Sequence, residues 1–268
     1  MKPTVRPRSL AALMLVLALL AALAVACGQR KTDHNEDKKA NLGAWGRALS
    51  AIAVADEGGD PSWFGGQRKA DAEAVLAQLS ADWAVTDRAS LIRSMNFYLR
   101  SGDREEYLYD SDVLARLQQL PEEEREQQLA GLSEEGALHY ELVAYCAERW
   151  NGRGLLAWDM AQYAQLAQLG YLARLLSHEE AQAAIEPAAA IVRQYFTGWE
   201  EVCQNILDGY ALHSLSSPEQ SDGAYQRWAA AYSALLEAED PKAPLFDDGL
   251  FEADLLPLEG LSSSDFMK

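Results

Sequence analysis

Three helix-start signatures fall between residues 177 and 220: Ser177 with Glu180, Thr197 with Glu200, and Ser217 with Gln220 beside Pro218. In each, a hydroxyl accepts from the amide N–H three residues on, and the acid or amide at that place reaches back to the first N–H. The chain has no alternating apolar and polar run long enough for a strand. It is therefore expected to be all-α, an irregular multi-helix globular domain. Composition agrees, with Ala, Leu, Glu and Gln abundant and Val, Ile and Thr sparse. With 268 residues, 49% of them hydrophobic, it can bury the core of one or two domains.

Helical spacing predicts a first helix over 42–55 with Trp45, Leu49 and Ile52 on one side, then a loop, "DEGGDPSWFGG" (56–66). A helix resumes over 67–80. Another starts at Thr86 or Asp87 and stops at Gly102, and a short one begins at Asp110. Pro121 with three Glu opens the next, since Pro needs no N–H there and acids suit the dipole. Ser133 opens a helix through Cys146 to Trp150, and "NGRG" turns the chain. The domain is expected over 41–238. A C-terminal segment, 239–268, repeats bulky apolar pairs followed by acids: Leu245-Phe246, Leu250-Phe251 and Leu255-Leu256. Those pairs either pack back on their own domain or form a docking tail.

The N-terminus points to a location. Lys2, Arg6 and Arg8 precede an unbroken apolar run from Leu10 to Ala26, which ends in Leu23-Ala24-Val25-Ala26-Cys27. A basic start, an apolar middle and small residues at the end have the form of a secretory signal (1–26). The Cys after Ala26 resembles the lipobox of bacterial lipoproteins. That resemblance implies acylation of Cys27, cleavage before it and an extracytoplasmic, membrane-anchored protein. Residues 28–40, "GQRKTDHNEDKKA", then read as a flexible linker behind the lipidated Cys27. The formal charge of −18, with no Lys/Arg cluster beyond the N-terminal segments, argues against nucleic-acid binding. Cys146 and Cys203 remain as either a disulfide or two buried thiols.

The stretch "RGLLAWDMAQYAQLAQLGYLA" (153–173) reads as a helix whose apolar face carries Leu155, Leu156, Tyr163, Leu166 and Gly170, with Asp159 near its centre. A carboxylate there is paired, protonated or near solvent. Arg149, Arg153 and Arg174 are the candidate partners, and a structural anchor is favoured over a ligand-binding or catalytic role.

Around this helix, "GLLAWDMAQYAQLAQLGY", "LSHEEA" and "FTGWEEVCQNILDGY" resemble bacterial domain-of-unknown-function family 1266, whose members include YbeU- and YbeR-like proteins. The resemblance covers 150–210 and is carried by Trp158-Asp159, Gly170-Tyr171, Ser177/Glu180, Trp199-Glu200 and Asp208-Gly209. Trp45 and residues 82–99 fit it more loosely. Gln162 and Tyr210 stand where the family carries basic residues. The resemblance implies a helical fold and no particular reaction.

Motifs that would carry chemistry are missing from the sequence. There is no HExxH or Cys/His metal spacing, no G-x-S-x-G elbow and no phosphate loop, so no metal or cofactor is expected and an enzyme is disfavoured. The tryptophans are expected to fill helix junctions, Trp158 and Trp199 among them. Trp63 and Phe64 are the exception, because aromatics on a loop serve as partner contacts. The expected function is a binding or scaffold module of the envelope with a protein partner. The alternative is an extracytoplasmic hydrolase using carboxylates in a helical cleft.

Overall fold

The computed structural model of the protein describes residues 41–238, 244–253 and 255. Cys27, its signal segment and the linker, and the tail beyond 255, lie outside the described residues. The helices are α1 (Leu42–Asp56), α2 (Ala72–Trp83), α3 (Arg88–Arg100), α4 (Asp103–Gln118), α5 (Glu122–Ala130), α6 (Glu134–Trp150), α7 (Leu156–Leu172), α8 (His178–Tyr195), α9 (Trp199–His213), α10 (Ala224–Glu237) and the short α11 (Asp248–Glu252). Single 3-10 turns lie at Phe64–Gly66 and Asn151–Arg153. No strand occurs among the described residues, and no helix there is long and apolar enough to cross a membrane.

Helix α7 is the axle. Every residue from Gly154 to Gly170 is buried, so the helix is covered on all sides rather than on one face. It packs against α8, α3, α9, α1 and α2. Leu156, Met160 and Leu166 are fully buried, each worth about 1.5–3 kcal/mol of transfer free energy. Helix α9 comes close because Gly209 has no side chain: a Cβ there would stand 2.4 Å from the Cβ of Trp158.

Capping shows where local sequence governs and where it does not. Ser177 and Glu180 form the expected box at α8, and Asp87 forms one with Ser90 at α3. At α9 the acid that engages Thr197 is Glu201 and not Glu200: its carboxylate accepts from the Thr197 amide and hydroxyl, while Gly198 takes the cap position. Ser217 and Gln220 close a turn, with the Gln220 N–H donated to the Ser217 carbonyl, and α10 starts only after Gly223. Helix α2 begins at Ala72, where Asp71 accepts from two amides, rather than at 67.

Two starts are capped by another helix. Asn205 of α9 takes the Ala157 N–H at 2.8 Å and donates to the Gly154 carbonyl at 2.8 Å, closing the entry to α7. Asp159 of α7 does the same for α4, which consequently starts at Asp103 and not at Asp110.

The C-terminal apolar pairs pack back on the domain as far as they are described. Phe251 lies against Trp45 and Trp199, and Phe246 against Trp199 and Tyr232. The Trp199 indole N–H donates to the Asp247 carbonyl at 2.9 Å, and Arg193 reaches the Ala253 carbonyl.

Candidate functional site

Asp159 has none of the three arginines expected of it. Its partner is Arg104, whose Nη1 lies 2.6 Å from Oδ2, with the two side chains 3% and 0% exposed. Arg149 instead pairs with Asp208, and Arg153 with Glu201. The Asp103 N–H donates to Asp159 Oδ1 at 2.8 Å and the Arg104 N–H to Oδ2 at 3.3 Å. The same guanidinium donates to the Tyr98 and Leu99 carbonyls, so Asp159 ties the end of α3 to the start of α4. Burial raises the Asp159 carboxyl, which stands at about 7 even with Arg104 and the Asp103 amide pulling it down. The surrounding donors all require an acceptor, so the ionised form is the one the geometry fits. Both Asp159 oxygens are engaged by donors.

Beside it, the Trp158 indole donates to Asp103 Oδ2 at 2.8 Å, and His213 Nδ1 stands 3.6 Å from the same oxygen. Burial works to raise the Asp103 pKa, but His213 and the indole outweigh it and leave the carboxyl below its ordinary value. A lowered carboxyl pKa contributes stability above about pH 4, which is lost as pH falls through the folded value. Acid unfolding of the wild type should therefore be steeper than that of Asp103→Asn, measured by denaturant melts from pH 6 down to pH 3. Equal slopes would remove this role.

A second buried carboxylate, Asp208, accepts from Trp150 Nε1 at 2.8 Å, Gln204 Nε2 at 2.8 Å and the Tyr145 hydroxyl at 3.3 Å, with Arg149 Nε at 3.2 Å. Asp56 likewise takes the Trp228 indole at 2.9 Å. Three tryptophan N–H groups, those of Trp150, Trp158 and Trp228, thus end on carboxylates. Cys146 and Cys203 are free buried thiols rather than a disulfide. Burial pushes both up to about 12, so they are protonated and poor nucleophiles.

His139 pairs with Asp110 at 2.8 Å. The His178 ring packs between Phe64 and Tyr171, with centroids 5.6 and 5.1 Å away. No group of three or more His, Cys, Asp or Glu suited to a metal ion occurs among the described residues.

The loop after α1 separates the two aromatics that the sequence paired. Phe64 turns inward against Tyr171, with centroids 6.1 Å apart, whereas Trp63 is 42% exposed with the Arg68 guanidinium over its ring. The loop is held firmly: the Gly65 N–H donates to Gln168 Oε1 at 2.9 Å, and Gln168 Nε2 donates to Gly46 O and Ser50 Oγ. Behind it a cleft of about 350 Å³ opens between the end of α1, the loop and α7. Its side-chain lining includes Ser50, Val54, Glu57, Asp60, Gln165 and Gln168. Partial desolvation, with Asp82 and Asp56 adding to it, raises the Glu57 pKa against hydrogen bonds from Gln78 and Gln165.

The sequence reading missed Arg104, Glu57 and the glutamines. A signal for the last was present: Asp159, Gln162, Gln165 and Gln168 recur every third residue on α7. Each step turns back by about 60°, so the row winds from the Arg104 side to the opposite side, where the loop lies.

A family model described as Protein of unknown function (DUF1266) matches residues 78–245. No curated protein and no solved structure matches the chain. The match takes in the two buried carboxylates and the glutamine row, and it begins after α1 and the loop that complete the cleft. It spans more than half of the 268 residues, and the chain belongs to the DUF1266 family of proteins of unknown function.

Proposed function

We propose that this protein is a lipid-anchored, extracytoplasmic binding module of bacterial origin. In this reading Cys27 carries the lipid after cleavage behind Ala26, residues 28–40 form the tether, and the helical domain presents the 57–67 loop to a protein partner at the envelope. The sequence at 23–27 supports the anchor. The observation that carries the binding role is Trp63: of seven tryptophans it is the one exposed to solvent, on a loop fixed to the core through Gln168 and Phe64. A rigid exposed indole offers contact area at little entropic cost. A hydrolase using Asp159 or Asp208 has less behind it, because the donors already on their oxygens leave neither free to activate water.

In the native host, Cys27→Ser should move the protein from the membrane to the soluble fraction and abolish incorporation of a palmitate analogue. Retention of both would overturn the anchor. Photocrosslinking in intact cells from a probe at Ser62 should give one discrete adduct that Trp63→Ala abolishes, while a probe at Tyr109 gives none. Identical patterns from the two positions would overturn the binding face.

A further inference from the structure

The cleft behind the Trp63 loop has a chemistry of its own. Its residues bring acceptors together: the Glu57 and Asp60 carboxylates, with no Lys or Arg among the lining. Gln165 is only 5% exposed and lines the cleft from the central helix. Its Nε2 donates to Glu57 Oε1 at 3.3 Å, which leaves Oε1 as an acceptor with no hydrogen bond from the described residues. The nearby backbone N–H groups of Gly58, Gly59 and Gly66 are already donated to carbonyls, so the loop adds no anion-binding nest. Val54 and Leu169 supply an apolar wall, and the volume falls in the range of small-molecule sites.

An acceptor-rich, donor-poor cleft with net negative charge selects a cation that brings its own N–H donors. We propose that this cleft binds a small organic ammonium compound, the N–H groups meeting Glu57 and Gln165 Oε1 and the short hydrocarbon part lying on Val54 and Leu169. A metal ion fits less well, since the cleft offers only two carboxylates, and no group of three or more His, Cys, Asp or Glu suited to one occurs among the described residues. This site is independent of the partner proposed for Trp63.

The test is calorimetric titration of the full chain in detergent with 1,4-diaminobutane at matched ionic strength. Tetramethylammonium, 1-butanol and calcium chloride serve as controls lacking N–H donors, charge and nitrogen respectively. Saturable binding of the diamine is expected, with none of the controls reproducing it. Glu57→Gln should weaken it roughly ten- to a hundredfold, the range for loss of one charge-assisted hydrogen bond. Gln165→Leu should also weaken it, and Trp63→Ala should leave it unchanged. Thermal melts of all variants in the absence of the diamine verify folding. Failure of the wild type to bind the diamine, equal binding of a control, or full binding by a folded Glu57→Gln chain each overturns the proposal. Loss of binding in Trp63→Ala would instead place the ligand on the loop tip and overturn this site while leaving the partner face standing.

Discussion

Asp159→Asn should lower the midpoint of thermal unfolding by roughly 10 °C, from a loss of about 3–5 kcal/mol at about 2–4 °C per kcal/mol for a domain of this size. The carboxylate receives three donors on two oxygens. An amide offers one oxygen, so whichever way it turns its NH2 group meets a donor. If the oxygen faces Arg104, the Asp103 N–H is orphaned. If it faces Asp103, the guanidinium, 3% exposed, loses the carboxylate oxygen that neutralises it. Most of the loss comes from leaving a buried group unmatched, not from the strength of the pair itself. Arg104→Met combined with Asp159→Leu should therefore be more stable than Asp159→Asn alone. Differential scanning calorimetry of the three chains settles it: a midpoint for Asp159→Asn within 2 °C of wild type would show that Asp159 is not an anchor.

Local signals read well where the cap and the helix share one stretch of chain. Ser177 with Glu180 and Asp87 with Ser90 sit as their sequences require, and Pro121 with its acids opens α5. They read badly where the cap comes from elsewhere. The acids of the first turn, Asp103, Glu105 and Glu106, do favour a start at 103, but the acceptor that closes it lies 56 residues away on α7. Arg104 is hidden for the same reason: it stands 55 residues from Asp159 in the chain, far beyond Arg149, Arg153 and Arg174. Ser217 and Gln220 misled in the opposite direction, since the same residue types also close turns. The cleft was the least legible feature. Its walls come from 50–67 and from the middle of α7, and the glutamines that line it looked like spacers on an otherwise apolar helix. What makes Gln165 and Gln168 informative is their burial, and only the packing of α1 and the loop onto α7 supplies that.

Gly102→Ala should be as damaging as loss of the Asp159 carboxylate, or more so, for two separable reasons. Gly102 holds φ +62° and ψ −170°, a region that residues with a Cβ scarcely enter. A Cβ there would also stand 2.1 Å from Asp159 Oδ2 and 2.2 Å from its Cγ. The close approach is what lets the carboxylate reach the first amides of α4, so the added methyl evicts the cap. A loss of about 3 kcal/mol or more is expected, from backbone strain of about 1–3 kcal/mol together with the displaced ion pair. Gly152→Ala, where a Cβ meets nothing within 4 Å, is the control and should change stability by less than about 1 kcal/mol. The decisive measurement is a double-mutant cycle in urea. With Asp159→Ala as background the carboxylate no longer occupies the space, so Gly102→Ala should then impose the backbone strain alone. The coupling should exceed about 1 kcal/mol, as for residues in direct contact. Additive losses would mean that the α3–α4 corner and the central helix do not meet through this carboxylate, and that Gly102 serves the turn and nothing else.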